Sequence, residues 1–395
     1  MFRARPSWLR SAALLAFAVG APLGAQSAPA PSPLNFSGII FGSYNFQESV
    51  NGAPLNRQID NQFIVDRAYL TFRMPAGDHT SIRITTDVYQ TSEATPNAYT
   101  VRAKYAYLEY AGSKMDNGLQ VTGRIGILHN VVIDHQESFW PRYLSQVGVE
   151  RAGYFSSADV GIASQIALPD KMGEVYATVT NGPGYTSRET DRFKDYAVRL
   201  SLTPLANNKD LPLLQTFTIT AWGYKGATAS AFVNGGTGQN GPIGEALDRS
   251  RAGLFVGIKD PKLVLAGEFA QRHENGELGA NTAASPRALT ETTGRLLSAY
   301  TVVRPLAFAD ASGKSPFGFV ARYDRATPTS STVGFTTVPD PGNGYHTVIG
   351  GVFWDLSQKA QIAFDYQESL ASSNGVSNAP PAPSKTIFAH FVVNF

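Results

Sequence analysis

The 395-residue chain is 43 % apolar and 11 % aromatic but only 16 % charged, and it has no cysteine. Its formal charge of +2 includes three arginines near the N-terminal end; without them it is −1, so total charge gives no reason to expect a nucleic-acid partner. Past the first two dozen residues no apolar run approaches twenty, which excludes a helical membrane protein, and an exported chain without disulfides must close its structure some other way.

Arg3, Arg5 and Arg10 surround the start of an apolar run from Leu9 to Leu23, which ends in Gly24 and Ala25. A basic start, a short apolar core and a small residue at the cut predict a secretory signal over residues 1–25. Residues 26–34 are rich in Ala, Pro and Ser and read as a periplasmic leader. Residues 35–395 then read as one all-β domain, a transmembrane antiparallel barrel, for the following reasons.

Apolar residues recur at every second position, the period of a strand. Over residues 35–47, Phe36, Gly38, Ile40, Gly42, Tyr44 and Phe46 share one face. Over residues 63–74, Ala68, Leu70, Phe72 and Met74 alternate with Arg67, Tyr69, Thr71 and Arg73. A turn at residues 75–78 leads to Ile82, Ile84, Thr86 and Val88 on one face of 81–89, with Arg83, Thr85, Asp87 and Tyr89 on the other. The pattern repeats at 99–110, 119–128, 159–168, 174–180, 195–203, 215–224, 251–259, 263–272, 295–303, 317–324, 345–354, 360–367 and 386–395. That makes about sixteen strands, an even number as single-chain bacterial barrels require.

Connections alternate. Short ones lie at 75–79, 169–173, 260–262 and 355–359; long ones at 48–61, 129–157, 226–248, 273–292, 326–344 and 368–383. Short turns on the periplasmic side and long loops outside are the expected arrangement. Tyr44, Tyr110, Trp222, Tyr224, Tyr300, Tyr323, Trp354 and Tyr366 stand near strand ends and are expected to form an interfacial girdle.

In the last segment Ile387, Ala389, Phe391, Val393 and Phe395 form one apolar face. An alternating strand ending on Phe resembles the terminal strand of outer-membrane β-barrels. That resemblance implies closure against the first strand and recognition by the barrel assembly machinery.

Arginine on a lipid face costs about 2–4 kcal/mol at mid-membrane, so Arg67, Arg73, Arg83, Arg124, Arg199, Arg251, Arg272 and Arg322 are expected to face inward. Inward acids are fewer: Asp87, Glu109, Glu268, Asp324 and Asp365. Excess inward Arg favours anions; if instead the arginines pair with acids, they form a structural lattice. The long connection at 129–157 is too apolar for an exposed loop, and folding into the barrel would make it a constriction. Asp134, His135, Glu137, Arg142, Glu150 and Arg151 are its charged candidates; a lid on the outer rim and a subunit contact are the other readings.

The stretches Ile64–Phe72 (IVDRAYLTF), Lys104–Tyr110 (KYAYLEY), Gly123–Leu128 (GRIGIL) and Thr180–Tyr185 (TNGPGY) resemble the phosphate-selective porin family. The resemblance implies a sixteen-stranded, trimeric channel in the bacterial outer membrane, with loop three folded inside and Arg67 and Arg124 lining the lumen. Asp66 stands where a second basic residue often precedes the arginine, and eleven lysines form no ladder along one face. The resemblance therefore points to a channel without fixing phosphate as its solute.

Six histidines show no ligand spacing and the Gly-rich run at 235–238 lacks a strand–turn–helix frame, so no enzyme activity, metal or cofactor is expected. The expected role is passive diffusion of small hydrophilic solutes, neutral or anionic, through a barrel embedded in outer-membrane lipid. A phosphate- or oxyanion-specific channel and a plugged barrel for adhesion or anchoring are the alternatives.

Overall fold

Alternation at period two builds a closed ring of sixteen antiparallel strands, each hydrogen-bonded to its sequence neighbours and the last to the first. The computed structural model describes residues 34–50, 57–90, 99–229, 246–278, 288–332, 344–371 and 384–395. The expected signal and most of the leader lie outside these residues. In chain order the strands are β1 (Asn35–Val50), β2 (Arg57–Pro75), β3 (Thr80–Gln90), β4 (Tyr99–Ala111), β5 (Gln120–His129), β6 (Ala158–Ala167), β7 (Gly173–Thr180) and β8 (Asp195–Leu202). Then follow β9 (Thr218–Ala229), β10 (Ala246–Lys259), β11 (Leu263–Leu278), β12 (Ala288–Val303), β13 (Phe317–Thr332), β14 (Tyr345–Asp355), β15 (Ala360–Ala371) and β16 (Ser384–Asn394). Among the described residues, three short α-helices sit in connections: α1 (Ile133–Glu137), α2 (Gly148–Arg151) and α3 (Leu306–Ala309).

Every strand read from the sequence is present, but several run further at the rim of the long loops. Strand β13 extends to Thr332 and β12 begins at Ala288, where Thr290 faces Thr332 and Thr293 faces Thr329. Ladder bonds persist there without an apolar face, so alternation alone ends the strands too early. On the opposite rim most connections are tight turns, though 203–217 and the α3-bearing 304–316 are longer.

Closure depends on β1 and β16, paired from Ile39 with Asn394 to Ser49 with Ser384. Closing the ring pairs the strand edges that an open sheet would expose. Outward positions such as Ile84, Ile125, Leu254, Leu265, Phe364 and Ile387 are apolar and exposed. An apolar belt of this extent around the ring is a lipid-facing surface.

Two extra residues break the alternation. Phe41 pairs with Arg67 and Gly42 with Val65, which makes Asp66 a bulge. Thr85 pairs with Tyr105 and Thr86 with Ala103, which makes Lys104 another. Because of the second bulge, consecutive residues Lys104 and Tyr105 are both buried on the inner side.

The outward aromatic set differs from the expected girdle. Tyr110, Tyr323, Trp354 and Tyr366 are exposed on the outer face, but Trp222 and Tyr300 are buried inside and Tyr224 packs with them. Their partners explain the inversion: the apolar core of this barrel is formed between its inner wall and residues 130–157.

Candidate functional site

Residues 130–157 connect β5 to β6. The Asn130 side-chain oxygen accepts from the backbone N–H of Val132 at 2.9 Å and of Ile133 at 3.2 Å, which starts α1. Gly153, at φ +70°, lets the chain turn after α2 where a side chain would be strained. Gly148 lies so close to the wall that a Cβ would meet Leu296 at 3.1 Å and Glu268 at 3.3 Å.

Apolar side chains hold the segment. Val131, Ile133, Trp140, Val147 and Val149 are each at most 1 % exposed. Each such burial contributes about 1.5–3 kcal/mol, enough to offset the ordering of its own residue, which costs a similar amount. Phe139 meets Phe255 on β10 at 4.9 Å, Trp140 meets Tyr300 on β12 at 5.1 Å, and Phe155 meets Trp222 on β9 at 5.3 Å, all edge-on. Directional bonds add register. Gln136 donates to Glu268 on β11, Tyr143 to Gln361 on β15, and Arg199 on β8 to the Val131 carbonyl. Arg322 on β13 donates to the Gln146 carbonyl at 2.8 Å, Gln367 on β15 to the Leu144 carbonyl at 2.9 Å, and Arg142 to the Tyr69 hydroxyl on β2 at 3.2 Å.

The eight arginines singled out in the sequence divide by partner. Arg124 and Glu109, opposite each other on β5 and β4, meet at 2.6 Å. Arg251 meets Glu274 at 2.6 Å, and Arg322 meets Asp324 at 2.8 Å with both side chains fully enclosed. Arg199 pairs with Glu174. Arg272 lies over the Tyr154 ring at 5.3 Å. Arg67 reaches Asp87 only at 3.8 Å, and Arg73 stands opposite Arg83 in the β2–β3 register. Arg83 has no carboxylate within ion-pair distance among the described residues; it lies on the Tyr105 ring at 4.8 Å and donates to Thr85 Oγ1 at 3.2 Å.

The loop candidates also separate. Arg142 gathers Glu137 and Glu150, the latter at 2.6 Å. Asp134 is half exposed, 3.6 Å from His129. His135 turns away, its Nε2 2.9 Å from Thr220 Oγ1 on β9 and its ring edge-on to Phe255. Burial pushes its pKa down to about 3, helped by the Arg199 and Lys259 charges, so it is uncharged at neutral pH. Arg151 lies over the Tyr345 ring of β14 at 5.4 Å, and burial lowers its pKa.

Several inner cations were missed in the sequence, among them Arg102 and Lys104 on the β4 wall and Arg304 at the rim. Arg102 donates two hydrogen bonds to Asp87, at 3.0 and 2.9 Å, between the rings of Tyr89 and Tyr185. Lys104 lies over the Tyr69 ring at 4.0 Å. Only the bulge brings Lys104 inside, and nothing in the local pattern announces it. The result is a tyrosine-rich wall on β2–β5 with more cations than carboxylates, facing a loop on which Arg142 meets Glu137 and Glu150 and Asp134 stands half exposed. Below them a cavity of about 560 Å³ opens between β1, β2, β15 and β16, lined by Phe41, Tyr69, Pro141, Arg142, Tyr143 and Arg304 among others.

No family model matches this sequence. No curated protein matches it either. Solved structures do. Salmonella typhi OmpF, solved in complex with daunomycin, is similar over 92 % of this chain and 97 % of its own, with a TM-score of 0.58 at 12 % identity. The outer membrane channel DcaP of Acinetobacter baumannii covers the same shares at a TM-score of 0.57 and 10 % identity. An anion-selective porin from Comamonas acidovorans matches 92 % of this chain and 99 % of its own at a TM-score of 0.54 and 9 % identity. At these identities the likeness is one of fold: a sixteen-stranded outer-membrane barrel.

Proposed function

We propose that this chain is a porin of the bacterial outer membrane that admits small hydrophilic solutes by passive diffusion, with a preference for anions, and that it acts as a homotrimer. The observation that carries the reading is the excess of cations on one wall of the ring. Arg67, Arg73, Arg83, Arg102, Lys104 and Arg124 on β2–β5 outnumber the carboxylates of those strands, of which Asp87 and Glu109 meet Arg102 and Arg124, while on the connecting segment 130–157 Arg142 meets Glu137 and Glu150 and Asp134 stands half exposed. The segment narrows the lumen, and solutes pass between it and the basic wall. Low-dielectric walls focus the field of such residues along the path, so charge acts before contact is made.

The pairing of Arg199, Arg251 and Arg322 limits which arginines matter. Their charges are met by Glu174, Glu274 and Asp324, so they hold the far wall and the segment together. The anion preference rests on Arg83 above all, with Arg67 and Arg73. Lys104 is 2 % exposed and so contributes charge to the wall without presenting its ammonium to a solute.

Single-channel recording of refolded protein in a planar bilayer under a salt gradient tests the proposal. Discrete steps with an anion-selective reversal potential are expected, and Arg83→Glu should move that potential toward cation selectivity. Folded, inserted protein that passes no current would refute the channel and support a plugged barrel.

A further inference from the structure

The cations of the β2–β5 wall share one feature that anion preference alone does not require: each lies on the face of a tyrosine. Arg83 is 4.8 Å from the Tyr105 ring centre and Lys104 is 4.0 Å from that of Tyr69. Arg67 and Arg102 flank one ring, Tyr89, at 5.1 and 3.9 Å. A guanidinium on an aromatic face is planar, delocalised and weakly hydrated. It suits an anion that is itself flat and poorly hydrated better than one that keeps a tight water shell.

The approach to this wall has the same character. The cavity of about 560 Å³ at the tight-turn rim is lined by Ile39, Phe41, Tyr69, Pro141 and Tyr143, together with Arg142 paired to Glu137, Arg304 paired to Asp355 at 2.7 Å, and Lys359. That size and mixture, apolar surface with a few convergent charges, is what small organic ligands occupy. Tyr69 belongs to both places, lining the cavity and carrying Lys104. Arg83 is the wall cation best placed to accept a ligand. It is half-buried, its ion-pair position is empty of carboxylates among the described residues, and Tyr105 backs one face of its guanidinium.

We propose that this wall selects planar aromatic carboxylates, benzoate-like anions, over saturated carboxylates of equal charge and similar size. The carboxylate meets the in-plane N–H donors of Arg83, and the ring lies among the tyrosine and arginine faces. This deepens the anion-porin reading and rests on it.

Current block by two probes provides the test. Benzoate and cyclohexanecarboxylate carry the same charge on a six-membered ring, but only benzoate is flat with a π face. Benzoate is expected to half-block the open channel at about one fifth of the concentration that cyclohexanecarboxylate needs, the size of effect that one aromatic stacking contact supplies. In Arg83→Lys, which keeps a charge and loses the planar group, and in Tyr105→Leu, the two concentrations should converge. Equal half-blocking concentrations in the unmodified protein overturn the selectivity while leaving an anion-selective porin standing. A cation-selective reversal potential, or folded protein without conductance, overturns the porin reading and the selectivity with it.

Discussion

Gly38 and Phe395 lock the ends of the barrel strands together. The Gly38 N–H donates to the Phe395 carbonyl at 2.9 Å, and the Phe395 N–H donates to the Gly38 carbonyl at 3.0 Å. The Phe395 ring folds back over Gly38, where a Cβ would overlap it, and packs 5.7 Å from Phe36. Gly38→Val should therefore push the ring out and weaken closure by about 1–3 kcal/mol, the usual cost of overpacking. Heat-modifiability on cold gels would read this as a lower unfolding temperature. Phe395→Leu in the same chain should recover part of the loss; no recovery would show that the ring is not what Gly38 makes room for.

Gln136 and Glu268 tie the internal segment to β11, both at most 3 % exposed. Glu268→Leu leaves the Gln136 amide buried without its acceptor, a loss of about 1–3 kcal/mol. The expected signs are noisier open-channel current and faster protease cleavage within residues 130–157. Unchanged noise and cleavage would mean that apolar contacts alone fix the segment.

Arg142 neutralises Glu137 and Glu150. Arg142→Gln frees two carboxylates on the loop side, so the reversal potential should shift toward cations, in the same direction as Arg83→Glu but from the opposite side. The two changes are not in ion-pair contact with each other, and their effects on selectivity should roughly add.

His135 makes the internal segment sensitive to acid. Its pKa is held near 3 by burial, while an unfolded chain titrates near 6.5. Between those values the unfolded state binds a proton that the folded state refuses. Stability is therefore full above about pH 6.5 and falls as pH drops toward 3. Urea midpoints in lipid vesicles should decline over that window, and His135→Gln should flatten the decline. An identical slope in the variant would assign it to carboxylates elsewhere.

Much of the architecture was legible because a lipid-facing barrel must repeat its apolar residues at every second position. Alternation is blurred at Leu254, Phe255 and Val256, all apolar, because Phe255 faces Phe139 of the internal segment while its two neighbours face outward. What failed to read was anything set by register. Arg124 meets Glu109 because β4 and β5 align those two residues, and no local pattern encodes that alignment. The bulges at Asp66 and Lys104 likewise depend on neighbouring strands. Trp222 and Tyr300 were assigned outward on the habit of membrane aromatics, whereas they serve a core that exists only once residues 130–157 are inside. The apolar content of that segment was the available clue: a connection carrying Trp140, Val147 and Val149 needs an apolar surface to meet, and the wall that supplies it must be aromatic too.

The paired arginines of the far wall and the stacked arginines of the near wall give the interior two different tolerances to change. Arg322 with Asp324, and Glu268 with Gln136, are enclosed, and altering one partner strands the other. On β2 and β3, Arg67, Arg73 and Arg83 rest beside tyrosines or one another, and their polar partners are looser: Asp87 at 3.8 Å from Arg67 and the Thr85 hydroxyl at 3.2 Å from Arg83. Exchanging them is expected to cost the ring less stability than exchanging Arg322 or Glu268. Sequence change in this barrel should therefore collect first at these three positions, where the fold asks least of a side chain.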